Sequence, residues 1–348
     1  MVKLLKKAKR TIIFIILFAN SFIKKAFYGK NRIVFLIGTP WHGNVGDQAI
    51  ALAEILFIKN NTSKIIIEVP SQYMVWYKKS WKKIIGDCSI LIHGGGFIGS
   101  LWPAEDEMAR IVLSTFPNNN IIILPQTIYF YNSDSSKVKE YLTILNNCRN
   151  TVICAREKYS YEFSKKIGIP NVKLVPDMVT YFNRNDFNLV GYDSSCDNTV
   201  LLCLRNDLEK VFDKSYLKEI INNNQSLHFV FTDTCKNHAI YPFRRKKEVT
   251  RKICEFSRAR LVITDRLHGM VFAALANTPC IVLSNCNYKI LGVHDWISNN
   301  ENIIYIDNLD KHSLKSVFER LINMQRKPYN NKKVLPFFVE LKHMIEGI

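Results

Sequence analysis

Short apolar runs alternate with amphipathic stretches along most of this chain. Residues 32–38 (RIVFLIG) form an unbroken apolar run typical of a buried strand, and residues 47–58 have the apolar spacing of a helix. The same order continues with predicted strands at 64–69, 88–93, 120–124 and 151–154 and predicted helices at 74–85, 104–115 and 135–147. This alternation predicts a parallel sheet with helices on both faces.

A second series of such patterns follows the polar stretch 183–198, which is the best linker candidate. Its predicted strands lie at 199–204, 227–231, 260–263 and 280–283, and its predicted helices at 213–223, 245–257 and 269–277. The α/β class is therefore expected, with two Rossmann-like lobes at 31–185 and 199–310 and a helical tail at 311–348. Ligands would bind between the carboxyl ends of the strands.

Residues 1–30 follow a different pattern, in which basic and apolar positions sort onto the two faces of a helix. The apolar stripe consists of Leu4, Ala8, Ile12, Ile15, Ala19, Phe22 and Ala26. The uncharged core, Thr11 to Ile23, is 13 residues long, too short to span a bilayer. We expect a basic amphipathic segment that associates with a membrane surface. A helix packed on the protein's own body and a signal peptide remain alternatives.

Charge is concentrated in this same segment. The net charge of the chain is +18, and residues 1–32 contribute nine basic side chains and no acidic one. The remaining surplus, 18 − 9 = +9, is ordinary, and no nucleic-acid-binding motif accompanies it, so no nucleic-acid partner is expected. The nine cysteines include no C-x-x-C pair, which indicates reduced core residues in a cytosolic protein and no metal site.

Two glycine-rich loops follow predicted strands. The first contains Asn44, Gly46 and Asp47 and could cradle a ligand at a helix N-terminus, or be a tight turn with Asp47 as helix cap. The second contains Gly94, Gly95 and Gly96, a triplet that costs backbone entropy unless something approaches closely. A bound ligand is the favoured explanation for the triplet.

Basic residues stand at the ends of two further predicted strands. Arg266 and His268 are two positions apart and would point the same way in an extended stretch, which places a cation and a proton donor in one pocket. The alternative is a structural pair of Arg266 with Asp265. Arg156 follows the strand 151–154, and two facing arginines would suit a small dianion.

Taken together, these motifs resemble the polysaccharide pyruvyl transferase family. The matching stretches are GTPWHGNVGDQAI (38–50), ILIHGGGFIGSLWP (90–103), ILPQTIYF (123–130), AREKYS (155–160), PDM (176–178) and TDRLHGMVFAALANTPCIVLSNCNYKILG (264–292). The resemblance implies a glycosyltransferase B architecture with the active site in the interlobe cleft. It also implies transfer of a pyruvyl group from phosphoenolpyruvate to two hydroxyls of a sugar as a cyclic ketal. Phosphoenolpyruvate would be a co-substrate, and no other cofactor is expected.

The resemblance further implies roles for individual residues. Arg156 and Arg266 would bind the phosphate and carboxylate of phosphoenolpyruvate, and His268 would act as general acid. Ser284 and Lys289 would extend the anion pocket. The loops at 44–47 and 94–96 would line the acceptor side, although Phe97 stands where a polar residue is expected. Asp47 and Asp177 are candidates for the general base.

Two other functions remain open at this point. A glycosyltransferase that uses a sugar nucleotide would have the same two lobes, with Glu301 as a weak candidate for binding the donor ribose. A non-catalytic scaffold on the same fold is the other alternative, against which the combination of Arg156, Arg266 and His268 argues. The basic segment would suit a lipid-linked acceptor, with the protein on the cytoplasmic face of the cell membrane.

Overall fold

A computed structural model describes residues 2–131, 134–187, 198–205, 215–307 and 310–348. The chain divides into two compact units. Unit 1 comprises Met1–Trp41, Glu54–Val175 and Val339–Ile348, and unit 2 comprises His42–Ala53 and Pro176–Phe338. The predicted domains had single continuous ranges, whereas this division assigns an early segment to unit 2 and the last ten residues to unit 1. Most of the predicted linker, 188–197, lies outside the described residues.

Unit 1 contains a parallel sheet in the order β2-β1-β3-β5-β6-β7, with β4 pairing with β5. Its apolar, β-branched strands are mostly buried because helices cover them. The strands are β1 (Ile33–Thr39), β2 (Ile65–Pro70), β3 (Ser89–Ile92), β4 (Gly95–Gly99), β5 (Ile121–Tyr129), β6 (Thr151–Ala155) and β7 (Val172–Leu174). The helices over the first half of the chain are α1 (Val2–Tyr28), α2 (Val45–Asn61), α3 (Ser71–Trp76), α4 (Lys78–Ile85), α5 (Pro103–Thr115), α6 (Ser135–Asn146) and α7 (Lys158–Lys166).

Unit 2 contains a second parallel sheet, in the order β12-β11-β10-β8-β9. Its strands are β8 (Thr199–Cys203), β9 (His228–Thr232), β10 (Leu261–Thr264), β11 (Cys280–Leu283) and β12 (Ile303–Ile306). The helices of the second half of the chain are α8 (Tyr216–Asn223), α9 (Pro242–Arg258), α10 (Leu267–Leu275), α11 (Lys289–Ile297), α12 (Lys311–Ile322) and α13 (Leu335–Glu346). The expected α/β class with two parallel-sheet lobes is confirmed.

Several element predictions were wrong in detail. The stretch around the glycine triplet is not only a loop, because Gly95 begins β4 and pairs with Gln126 of β5. The helix predicted over 74–85 is two helices, separated at Tyr77, whose φ of −122° and ψ of 29° leave the helical region. Strands β7 and β12 and helices α7 and α11 were not predicted.

The cysteine prediction needs a correction too. The described cysteines are free thiols, as expected, and five of them are buried. Cys235 and Cys286 are exposed, however, so they are not core residues. Both follow the carboxyl end of a strand, where the chain leaves the sheet interior.

The amino-terminal segment is one continuous helix, α1, and not only a short apolar core between basic ends. Its stretch Lys7–Tyr28 is long and apolar enough to cross a membrane, with a mean hydropathy of 1.5 over its best window. The statement that the segment is too short to span is therefore wrong by this measure. A signal sequence or a helix packed on a soluble protein passes the same test, so length and composition do not decide between these states.

Candidate active site

Arg266 and His268 lie at the junction of β10 and α10 in unit 2. Arg266 is extended, with φ −105° and ψ 129°, and stands directly before the helix. Leu267 already belongs to α10, so the expected extended geometry through His268 is wrong, and His268 occupies the first helical turn. The helix begins there because the run from Met270 to Ala276 is apolar and packs into the core.

The Arg266 side chain is held by an acidic residue that the sequence reasoning did not identify. Its Nη2 lies 2.8 Å from Oδ1 of Asp233, and its Nη1 lies 3.9 Å from the Sγ of Cys235. Arg266 is buried, whereas Asp233 is 41% exposed. Asp233 directly follows β9, so an acidic residue at a strand's carboxyl end was the available signal.

The neighbouring carboxylate, Asp265, has a different partner. Its Oδ1 accepts a hydrogen bond of 2.8 Å from the backbone N–H of Arg205, and burial raises its pKa above the usual value. The alternative of a structural Arg266–Asp265 pair is therefore not what the structure shows. Arg266, after β10, is instead held by Asp233, which follows β9.

His268 is enclosed by unit 2 residues on two sides. Its Nε2 lies 3.6 Å from Oδ2 of Asp177, a residue that is 1% exposed. Within the described part of the chain this nitrogen makes no hydrogen bond. Asp177 also caps a short 3-10 helix by accepting from the backbone N–H of Val179 at 2.9 Å. The imidazole thus has a buried carboxylate nearby, and its Nε2 is itself buried.

The loop at 44–47 directly adjoins His268. A Cβ on Gly46 would lie 2.4 Å from His268 Nδ1, so only glycine fits there. Asn44 stands before α2, where its Oδ1 accepts from Gly46 N at 2.9 Å and its Nδ2 donates to Asp47 Oδ2 at 2.8 Å. Asp47 is the third residue of α2, so its expected position as N-cap is wrong.

Backbone hydrogen bonds fasten this loop to the segment that holds Arg266. Val45 N donates to the carbonyl oxygen of Thr234 at 2.8 Å, and Lys236 N donates to that of Gly43 at 2.9 Å. The loop from the beginning of the chain and the segment after β9 therefore form one wall beside Arg266 and His268. Local sequence patterns contain no signal for this contact.

Arg156 lies in unit 1, directly after β6, and is buried. Its Nε donates to Oγ1 of Thr127 at 2.7 Å, and its backbone N–H donates to the carbonyl oxygen of Gln126 at 2.9 Å. The next residue, Glu157, is fully buried, and burial raises its pKa. Arg156 is thus a rigid cation at the carboxyl edge of the unit 1 sheet.

The glycine triplet has neighbours within the chain itself. A Cβ on Gly96 would lie 2.8 Å from Nη2 of Arg156, and Gly95 has a φ of 141°. Gly94 N donates to Oε1 of Glu54 at 2.6 Å, and the other oxygen of Glu54 lies 2.7 Å from His93 Nδ1. The close approach that requires Gly96 is therefore made by Arg156 and not only by a ligand. Glu54, missed in the sequence, sits in the apolar pattern of α2.

Ser284 and Lys289 lie beyond β11, the neighbour of β10 in the sheet. Because Thr264 and Val282 are paired in register, Ser284 is at the same sheet edge as Arg266. Its hydroxyl donates to the carbonyl oxygen of Asp307 at 3.2 Å. Lys289 is buried at the start of α11. Their contact with an anion stays a prediction.

Two parallel Rossmann-like sheets, with charged and titratable side chains after several of their strands, place the protein in the α/β class. The sequence profile of the family described as "Polysaccharide pyruvyl transferase" matches residues 44–287. The chain belongs to this family, as the motifs predicted. The matched range contains Arg156, Arg266 and His268, so the protein is a pyruvyl transferase by family and a transferase by class.

Similar proteins agree with this assignment. The chain is 31% identical over 309 residues to General stress protein 30 of Bacillus subtilis, covering 86% of this chain and 88% of the relative. It is 26% identical over 314 residues to Pyruvyl transferase 1 of Schizosaccharomyces pombe, covering 84% and 77%. A crystal structure of protein KP1_0663 from Klebsiella pneumoniae matches with a TM-score of 0.56 at 19% identity, over 83% and 98% of the two chains. That likeness shows the fold.

Proposed function

We propose that this protein transfers the enolpyruvyl group of phosphoenolpyruvate to two hydroxyls of a sugar and releases phosphate. The observation that carries the proposal is the position, at one sheet edge of unit 2, of the Arg266 cation held by Asp233 and of His268 in the first turn of the following helix. A buried guanidinium suits the phosphate or carboxylate of the donor. The family supports pyruvyl transfer, and the choice of donor is our inference.

The chemistry needs one proton donor and one anion site. His268 protonates the methylene carbon of phosphoenolpyruvate, which makes C2 electrophilic, and a sugar hydroxyl adds there and returns its proton to the imidazole. The second hydroxyl then attacks C2, the C2–O bond to phosphate breaks, and the remaining proton leaves with phosphate. Both hydroxyl protons and both oxygens are accounted for, and the balance requires no oxidant.

Arg156 is proposed as a second donor ligand on the strength of the family resemblance. Its burial and its hydrogen bond to Thr127 keep the guanidinium in one place, as a ligand for a fixed anion requires. Gly96 leaves the space that its Nη2 needs. The loops at 44–47 and 94–96, with Ser284 and Lys289, are proposed to complete the donor and acceptor sites.

The acceptor is proposed to be a sugar of a polysaccharide repeat unit carried on a lipid, at the cytoplasmic face of the cell membrane. The basic helix α1 supports a membrane location, since residues 1–32 contain no acidic side chain. The alternative of a sugar-nucleotide donor gains nothing from Glu301, because this residue is exposed and pairs with Lys327 at the surface.

Phosphate release from phosphoenolpyruvate tests the proposal. A panel of galactose-, glucose- and mannosamine-terminated lipid-linked acceptors would be supplied to the whole protein. We expect release that depends on the acceptor and falls about 10²–10⁴-fold in His268→Gln. His312→Gln, on the exposed surface of α12, is the matched control and should leave release unchanged.

The two donors predict opposite results in this assay. If no acceptor led to phosphate release and a sugar nucleotide bound saturably, the protein would be assigned to sugar transfer. A parallel pair, Arg266→Lys and the exposed Arg251→Lys, separates loss of the anion site from a general effect of removing a guanidinium.

A further inference from the structure

One face of α1 packs on unit 1. The ring of Phe14 stacks on that of Tyr77 with 3.8 Å between centroids, and the edge of Trp81 lies 6.0 Å away. Phe18 also packs against the core, and Ser21 is only 2% exposed. These contacts bury aromatic surface, which is among the larger stabilising contributions per side chain.

Polar contacts fasten both ends of this packed face. The Nζ of Lys25 donates to the carbonyl oxygens of Ile84 at 2.8 Å and Ile85 at 3.2 Å, at the carboxyl end of α4, where a cation is favourable. The guanidinium of Arg10 lies 4.4 Å from the ring centroid of Trp76, a cation–π distance. Because these contacts are 15 positions apart, α1 lies along unit 1 over about four turns.

The opposite face of α1 is apolar and exposed. Its large side chains are spaced three, four or seven residues apart, so they lie on one side of the helix and form a stripe. Every member from Ile12 to Phe27 is more than half exposed, and Phe27 reaches 80%. The stripe consists of Leu5, Ile12, Ile15, Ile16, Phe22, Ile23 and Phe27. Soluble monomeric proteins seldom expose an apolar stripe of this length. Such a stripe indicates an interaction site.

Further exposed apolar side chains lie on α3, and exposed lysines lie on α4. Val75 and Trp76 are 38% and 47% exposed beside α1, and an exposed tryptophan is typical of a membrane interface. The neighbouring α4 presents four exposed lysines, Lys78, Lys79, Lys82 and Lys83. Lys7 and Lys9 of α1 are exposed as well, so the part of the protein that carries the stripe is strongly positive.

We propose that α1 is an in-plane membrane-docking helix, which inserts its exposed apolar stripe among the acyl chains of an anionic bilayer. The positive surroundings select the partner, since each lysine or arginine near an anionic surface contributes about 1 kcal/mol. An apolar protein partner would not need this charge. The proposal deepens the membrane location proposed above and does not depend on the donor or on the transfer chemistry.

The packed face decides the orientation. To cross the bilayer, α1 would have to leave Tyr77 and Trp81 and break the hydrogen bonds from Lys25 to α4. In the docked arrangement, one face remains on unit 1 and the other meets lipid, so no contact is lost. The helix therefore lies on the membrane although its length and hydropathy would allow it to span.

Vesicle binding of the whole protein tests the inference. Vesicles of phosphatidylcholine alone and of phosphatidylcholine mixed with phosphatidylglycerol would be sedimented with the protein at low and high salt. We expect binding to the mixed vesicles that weakens with salt. In the triple variant Ile12→Gln, Ile16→Gln and Ile23→Gln, the partition coefficient should fall more than about 100-fold, because three large apolar side chains no longer insert.

The matched control changes three exposed apolar residues outside α1: Val230→Gln, Phe243→Gln and Val339→Gln. Each is 46% exposed or more, so the control has the same chemistry at the surface and should bind like the unchanged protein. Point variants are preferable to removal of residues 1–28, because that deletion would expose Tyr77 and Trp81. Phosphate release with a soluble acceptor should persist in the triple variant, which separates this test from that of the proposed function.

Three results would overturn the inference. Vesicle binding that is unchanged in the triple variant would show that the stripe does not insert. A protein that stays in the membranes of an expressing cell after an alkaline carbonate wash would show that α1 spans them. A salt-resistant dimer that the triple variant loses, without vesicle binding, would show that a second copy covers the stripe.

Discussion

At Gly46 the backbone of α2 approaches the imidazole of His268 so closely that a methyl group does not fit. An added Cβ would lie 2.4 Å from Nδ1 and 2.7 Å from Cγ of the ring. The neighbour is a ring enclosed by Asp177 and the helix, not the far end of a flexible chain. The position of the proposed acid therefore depends on the absence of one side chain 222 positions earlier (268 − 46).

Gly46→Ala should displace His268 and lower the turnover number about 100-fold, because small misplacements of a catalytic group are costly. The thermal midpoint should change little by comparison, since alanine favours the helix that Gly46 belongs to. Steady-state phosphate release and a thermal melt would measure the two effects. Gly347→Ala, with its nearest atom at 3.3 Å, is the control. If the Gly46→Ala variant retained full turnover, the His268 imidazole would have to reach a productive position despite the added methyl group.

Asp233 is a positioning residue: it holds the Arg266 guanidinium and is not proposed to contact the substrate. Asp233→Ala removes a carboxylate contact of that guanidinium. The KM for phosphoenolpyruvate should rise about tenfold while kcat changes little, since a charged hydrogen bond contributes roughly 1.5–3 kcal/mol. Asp233→Asn keeps an acceptor oxygen and should restore most of the affinity. Equal losses in both variants would show that charge and not orientation matters.

At the scale of elements, α4 supports both the core of unit 1 and helix α1. Trp81 is completely buried, and its indole N–H donates to the carbonyl oxygen of Tyr73 at 3.1 Å. On its other side it contacts Phe14 and Phe18 of α1. One side chain thus joins α3, α4 and α1.

Trp81→Ala should lower the free energy of unfolding by about 3–5 kcal/mol, as expected for deletion of a fully buried aromatic side chain. Denaturant titration followed by circular dichroism measures this. Phe243→Ala, at a residue that is 80% exposed, should cost far less. If both variants unfolded at the same denaturant concentration, the packing of α1 and α4 on the core would not be what stabilises unit 1.

At the scale of the whole molecule, each unit has a buried arginine after a strand of its sheet: Arg156 follows β6, and Arg266 follows β10. Within the described ranges no three His, Cys, Asp or Glu side chains are grouped as metal ligands. Because the proposed proton transfer and phosphate release use Arg266 and His268, we expect activity to persist in EDTA. Assaying phosphate release before and after chelation tests this. Complete loss that a divalent ion restores would overturn it.

The order of strands and helices could be predicted because each element has a hydrophobic pattern within its own residues. The run Leu261–Thr264 is apolar without interruption and is a buried strand, and the apolar run after His268 is a buried helix. Burial of such runs hardly depends on which other element covers them. The same local patterns placed Arg156 and Arg266 after buried strands, and the family resemblance added the roles of these residues and of His268.

Contacts between distant parts of the chain could not be predicted in this manner. Asp233 beside Arg266, Gly46 beside His268 and Gly96 beside Arg156 are consequences of strand order, and no periodic pattern encodes strand order. The same holds for α1, whose sequence shows an amphipathic helix but not that Phe14 stacks on Tyr77. Local patterns record whether a residue is buried, whereas the identity of its neighbour depends on packing over the whole chain.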